Sequence, residues 1–395
     1  MKGDQKMDNS IIIPSALLLC IDDLGWHLGT DARHIGQPSR TGMPRPHRPE
    51  DYTIINEIGK AIDMKILCPI CLGEWDKNNI MRNEIGFTYA PDTWDRASKI
   101  DYKLTEKAFE AAESSEYIEY ALHGNLHGNY DKDGKQITEM EYFEYRNGSD
   151  KLCTQSEEEI LHRFEIFFKL YDTWGFKKKI RSFVAPNGIP SHLSKEDLLP
   201  LASALKKYGV KYWTSRWKKS ICHTEFFDGI IYMEKNKKFG VPWNAYDYDP
   251  TYLFDFMDAG DDIIGDVMGM HWPNFLRYNY QNNGQCLEPW VKYFKKQSEI
   301  FGLMLAKDIA FSSSQHVYRS FSNISFGENR VRIDITDALT QPTDCLTGKF
   351  YISLKNGLTP ERSEGGSFNL FETHKDFSTY EITHTSNVID LTLKS

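Results

Sequence analysis

The sequence predicts an α/β fold: a distorted (β/α)7-type barrel followed by a small C-terminal all-β domain. Two observations carry this. From Ser15 to about Ala310, short apolar runs alternate with amphipathic stretches, the pattern of a parallel sheet with crossover helices. Beyond roughly Gln315 the alternation shortens to a period of two, as in antiparallel strands with one face buried. The predicted division is therefore a barrel domain over residues 1–314 and a β-sandwich-like domain over 315–395.

In chain order, the candidate barrel strands are ALLLCI (16–21), MKILCPI (64–70), YIEYALH (117–123), KIRSFVA (179–185), VKYWTS (210–215), GIIYME (229–234) and DVMGMHW (266–272). Helices fill the intervals at 51–63, 157–175 and 195–209, where apolar residues recur at helical spacing. The last two stretches end on Gly175 and Gly209, residues suited to a helix C-cap. Seven such units suggest a closed or nearly closed barrel. In the second domain VRIDI (331–335), KFYISL (349–354) and NVIDLTL (387–393) read as strands, with Asn356-Gly357 and Gly365-Gly366 as turn signals. Nothing there forms a catalytic cluster, so a carbohydrate-binding sandwich and a packing or oligomerisation appendage both fit. A second copy of the chain is a candidate partner.

The 395 residues are 40% apolar and 26% charged, which excludes disorder and a fibrous protein. The formal net charge of −9 argues against nucleic acid as the main partner. The apolar segment Ile11 to Ile21 is shorter than a membrane span, is broken by Pro14 and runs into two aspartates, so it reads as a buried strand. An odd number of scattered cysteines does not form a secreted disulfide framework, and no signal peptide is recognised. A reducing, cytoplasmic location is the expectation.

Three features could do chemistry. Asp22-Asp23 stands at the C-terminal end of the first strand, the end that faces the active site in barrels, where one carboxylate can bind a metal and the other act as a base. His123-Gly-Asn-Leu-His127 follows a middle strand, and histidines at i and i+4 can reach one ion. Two imidazoles and a carboxylate leave coordination positions open, as a catalytic site requires. His271 closes the last strand of the α/β region and could serve as a general acid.

By the order and position of these motifs, the sequence resembles the polysaccharide deacetylases of the NodB-homology type, carbohydrate esterase family 4. The resemblance spans about 300 residues and reads as a divergent branch, because Cys20-Ile21 and Leu24-Gly25 flank the aspartates where the family has Thr-Phe and Gly. It implies Asp22 as general base, Asp23, His123 and His127 as metal ligands, and His271 as general acid. The family's Phe-Arg-Pro-Pro-Tyr-Gly segment aligns with Phe183 to Gly188, which puts Val184 at the arginine position and Asn187 at the oxyanion-binding position. Arg181 is the nearby substitute for the arginine, although it lies an odd number of residues away, on the opposite face of a strand.

The resulting expectation is a hydrolase that removes acetyl groups from an N- or O-acetylated carbohydrate. Its cofactor would be a divalent metal ion, zinc first, with nickel, cobalt or iron accepting the same ligands. Trp26, Trp213, Trp243 and Trp272, all at or after strand ends, are candidate sugar-stacking walls, and Arg181 is grouped with them as substrate-binding. Cys68-Pro-Ile-Cys71 reads as a buried strand end rather than a zinc or redox motif, and the lysines at 235 and 237–238 read as solvated surface. Two rivals share the scaffold: an amidohydrolase acting on another C–N bond, such as a small amide or ureide, and a catalytically silent carbohydrate-binding protein.

Overall fold

The computed structural model describes residues 10–25, 45–146, 148–218, 223–236, 266–271, 275–277, 279–327 and 329–394. The expectations for Trp26, Trp243 and Trp272 lie outside the described residues. Contacts divide the chain into two compact units, Leu19–Val291 and a second formed by Met1–Leu18 with Lys292–Ser395.

Seven strands form the barrel: β1 (Ser15–Asp22), β2 (Ile66–Cys71), β3 (Ile118–Gly124), β4 (Ser182–Phe183), β5 (Tyr212–Ser215), β6 (Ile230–Asn236) and β7 (Val267–His271). They neighbour one another in the order β5-β4-β3-β2-β1-β7-β6, and β6 pairs back onto β5, which closes the ring. The ladders are parallel, and Thr224–Phe227 adds an antiparallel partner to β6. Ala16 to Ile21 in β1 have no solvent exposure on either face, as expected of a strand with a packed barrel interior on one side and helices on the other.

The connecting helices are α1 (Pro49–Ala61), α2 (Tyr102–Ser114), α3 (Glu157–Trp174) and α4 (Leu199–Lys207). α3 shows why the local sequence is decisive. Ser156 and Glu159 exchange side-chain and backbone hydrogen bonds in a capping box, and Gly175 ends the helix at φ +77°. α2 has no counterpart among the predicted helices. Its buried residues are Thr105, Ala108 and Ala112, small side chains that make a weak apolar stripe.

The second unit holds two four-stranded antiparallel sheets. With α5 (Ile309–Phe321), β8 (Asn323–Gly327), β9 (Arg330–Asp334), β10 (Lys349–Lys355), β11 (Thr359–Glu364), β12 (Gly366–Thr373), β13 (Phe377–His384) and β14 (Val388–Lys394), one sheet runs Ile11–Ile12, β10, β13, β12 and the other β8, β9, β14, β11. The division by contacts differs from the expected boundary at residue 315. Backbone pairing explains it: Ile11 and Ile12 pair with Leu354 and Ser353, and Leu303–Leu305 lie parallel to Ser15–Leu17. Gln315 on α5 donates to the carbonyls of Pro14 and Tyr351, so the segment before residue 315 is packed with the strands that follow it. No described helix is long and apolar enough to cross a membrane.

Candidate active site

Side-chain parity in the parallel ladders decides which residues face the barrel interior. Cys20 pairs with Leu67, so Cys20 and Asp22 share a face with Leu67, Pro69 and Cys71. On β3 the register slips: Ile70 pairs with Leu122 but Cys71 with Gly124, leaving His123 as the extra residue of a bulge on the same face as Cys71. Lys235 pairs with Val267, which places Lys235, Gly269 and His271 on one face. The C-terminal ends of β1, β2, β3 and β7 thus present their polar groups together.

Asp23 is the centre of the group. It follows β1 at φ +66°, a left-handed conformation that costs a non-glycine residue about 1–2 kcal/mol. Its Oδ1 lies 3.1 Å from His123 Nε2 and 3.6 Å from His127 Nε2, while Oδ2 lies 3.7 Å from His271 Nε2. His271 Nε2 is also 3.9 Å from Asp22 Oδ2. The structure therefore brings Asp22, Asp23, His123, His127 and His271 into one cluster.

His123 is oriented from behind, its Nδ1 donating to the Val184 carbonyl at 2.6 Å. Position 184, where the family's arginine would stand, contributes only a backbone acceptor. Both ring nitrogens face acceptors: burial pulls the ring's pKa down, but the bond and charge of Asp23 raise it above the ordinary value. For Asp23, burial acts upward and is outweighed by His127, His123 and His271, which leave the carboxyl well below the usual range. A divalent cation would replace the Nε2 proton of His123, and the Nδ1 bond to a carbonyl is the outer support that metal-binding imidazoles use. The residues present fit such an ion.

The loop carrying His127 is built around a buried carboxylate. Glu141 has no solvent exposure and accepts from the Asn125 backbone at 2.9 and 3.0 Å, the Asn125 side chain at 3.0 Å and the His127 backbone at 2.9 Å. That bonding holds His127 at φ +53°, a second left-handed residue in the site. Gly124 permits the approach, since a Cβ there would lie 2.3 Å from Glu141 Oε2. Gly124→Ala is expected to lower stability by about 1–3 kcal/mol, the usual range for overpacking. Thermal unfolding against the wild type measures it, and an unchanged midpoint would refute the role given to Glu141.

Lys235 corrects the reading of its lysine cluster as surface. Its ammonium donates to Asp22 Oδ2, its side chain is 9% exposed, and the absence of a Cβ at Gly269 leaves room for its stem, 3.1 Å away. Burial would raise the Asp22 carboxyl, but Lys235, then His271 and His123, hold it below the ordinary carboxylate range. The Cys20 thiol donates to the other carboxylate oxygen at 3.3 Å. A glycine two residues before a strand-end histidine was the only sequence signal for this arrangement.

Arg181 does not take that role. It precedes β4 at the opposite end of the barrel, where it pairs with Glu119 at 3.2 Å. Trp213 also departs from expectation: parity with Tyr232 puts it on the helix-facing side of β5, 1% exposed, against Phe183, Phe227 and Tyr232. It is a core residue rather than a subsite wall. His47, two residues before α1, is fully buried with its Nδ1 at 3.1 Å from the Tyr52 hydroxyl.

Asn187 stands in the loop after β4 at φ +54°, exposed, at the edge of a cavity of about 470 Å³. Tyr145, Lys151, His192, Arg216 and Trp217 also line it. Arg216 and Trp217 follow β5 directly, so the cavity opens on the same end of the barrel as the carboxylates.

No family model and no curated protein matches the chain. Among solved structures it is similar to a carbohydrate esterase family 4 pseudoenzyme from Bacillus anthracis, at 13% identity over 72% of this chain and 62% of the other, TM-score 0.34. A candidate polysaccharide deacetylase from Mycobacterium smegmatis gives 11% identity over 74% and 86%, TM-score 0.37. A branching enzyme of the GH57 type from the archaeon Pyrococcus horikoshii gives 12% over 75% and 69%, TM-score 0.40. The chain thus spans less than two thirds of the pseudoenzyme's length. At such identities and TM-scores none of these likenesses bears on the chemistry, which rests on the side chains described above.

Proposed function

We propose that this chain is a metal-dependent hydrolase that removes acetyl groups from an N- or O-acetylated carbohydrate. The observation that carries the reading is the convergence of three imidazoles, His123, His127 and His271, on Asp23 within 3.1–3.7 Å, with Asp22 3.9 Å from His271, at the C-terminal ends of three barrel strands. Asp23, His123 and His127 would hold a divalent ion, zinc foremost, with nickel, cobalt and ferrous iron as alternatives. When bound, the ion supplies Lewis-acid polarisation of the acyl oxygen and a lowered pKa for the attacking water.

The chain's own residues do the remaining work. Asp22 takes the proton of the attacking water, and the ion pair with Lys235 keeps it ionised and fixed in direction. The lowered pKa makes Asp22 a weaker base than a free carboxylate, a cost offset by the ion pair that favours its ionised form. His271, close to both aspartates, gives a proton to the departing amine or alcohol. Asn187 is assigned the oxyanion contact through its backbone N–H. The cavity that Asn187 edges, with hydroxyl, amide, guanidinium and ammonium groups in its wall, suits a polar, hydroxyl-rich substrate. A silent binding protein is less well supported, because Lys235 restores to Asp22 the cationic partner that Val184 and Arg181 do not provide.

Elemental mass spectrometry of the purified protein beside His123→Ala, His127→Ala tests the metal, and acetate release from acetylated oligosaccharides tests the reaction. The expected result is about one equivalent of a transition metal, absent from the double variant, with turnover that follows it. A protein that stays metal-free after reconstitution with zinc, cobalt or nickel ends the hydrolase reading. Bound metal with no acetate release from any acetylated sugar, but hydrolysis of small amides, moves the substrate to another C–N bond.

A further inference from the structure

Cys71 is a thiol at the end of β2, 2% exposed, on the barrel-interior face between the strands that carry Asp23 and His123. Its Sγ, a carboxylate oxygen of Asp23 and a ring nitrogen of His123 all lie within 4.8 Å of one another. Bonds of about 2.0–2.3 Å to one tetrahedral ion put ligand atoms about 3.3–3.8 Å apart, so these three would draw together around it. The backbone fixes the placement: the Cys71 N–H donates to the Leu24 carbonyl at 2.8 Å, and the Leu24 N–H donates to the Pro69 carbonyl at 3.0 Å. Gly25, at φ +83°, lets the Asp-Asp loop lie against this strand, because a Cβ there would come within 2.9 Å of the Cys71 carbonyl. The bulge that skips His123 in the ladder turns the imidazole toward the same point.

From this juxtaposition we infer that Cys71 is a metal ligand, so that the ion is held by a thiolate together with Asp23 and His123. The inference rests on the metal-dependent reading above. Binding releases the thiol proton to solvent and places a soft donor in the set. The site then selects zinc, cobalt or ferrous iron over magnesium, calcium and manganese. It also gives the Cys-x-x-Cys segment a divided use, since Cys68, three residues earlier, stands on the opposite face with no solvent exposure.

The test uses the full chain, stripped of metal by chelation and titrated with Co(II), beside Cys71→Ser and Cys68→Ala. The wild type is expected to show a sulfur-to-cobalt charge-transfer absorption in the near ultraviolet. Cys68→Ala keeps that band. Cys71→Ser loses it and binds Co(II) at least about 10–100-fold more weakly, the loss that even an outer-shell change produces. Co(II) bound by the wild type without the band, or a band that survives in Cys71→Ser, overturns the role of Cys71 and leaves the Asp-His-His site standing. Absence of any Co(II) binding by the wild type overturns both. The wild-type spectrum decides even if the serine variant fails to fold.

Discussion

Lys235→Met lowers the unfolding free energy by about 3–5 kcal/mol, the cost of leaving one member of a buried ion pair without its partner. The substitution preserves the length of the apolar stem over Gly269 and removes only the ammonium that Asp22 accepts from. Asp22 then keeps the burial that raises its pKa and loses the strongest influence that lowers it. The sign of the pH dependence follows. In the wild type the folded carboxyl titrates below its unfolded value, so the stabilisation is fully present above about pH 4 and is lost as pH falls through the lowered value. In the variant that acid limb moves to higher pH. Urea unfolding at several pH values measures both effects, and the double variant Asp22→Asn, Lys235→Met should recover part of the loss, because no charge is left unpaired. A single variant as stable as the wild type, with an unmoved acid limb, would show that the pair does not hold Asp22.

Glu141→Ala has an effect of similar size by another route. Two backbone N–H groups, of Asn125 and His127, lose a buried acceptor, at about 1–3 kcal/mol each. Arg163, 3.9 Å from the carboxylate and fully buried, loses a countercharge as well. The summed expectation is a loss of about 3–5 kcal/mol. The consequence for the site is separate from stability: His127 is held at positive φ by these bonds and relaxes without them, so affinity for zinc falls by about 10–100-fold. Isothermal titration with zinc at a temperature where the variant is still folded separates the two effects. Undiminished zinc affinity would mean that His127 is not a ligand or that Glu141 does not position it.

Much of the barrel was legible because strands such as β1 and β2 are apolar runs ended by turn or polar residues. The runs at 16–21 and 117–123 correspond to β1 and β3 within a residue or so, and their strand-end acids and histidines do come together. What misled was local texture. Lys235 sits beside other lysines and Cys71 ends an apolar strand, so composition described both by their neighbours in sequence. Trp213 follows the rule that strand-end aromatics line a mouth, yet its parity turns it outward to the helices. The division by contacts departs from residue 315 because backbone pairing between residues 11–12 and 353–354 has no local signature.

The sequence by itself determined the strands, the helix caps and the identity of the ionisable groups, because hydrophobic period, capping chemistry and residue type are properties of short segments. The tertiary structure alone decided which of those groups meet. Closure of β6 onto β5 and of β7 onto β1 brings Lys235 and His271 to Asp22, and the one-residue bulge on β3 aims His123 at Asp23 and Cys71. Parity and register act between strands far apart in the chain, and a one-residue shift would turn each of these side chains to the opposite face.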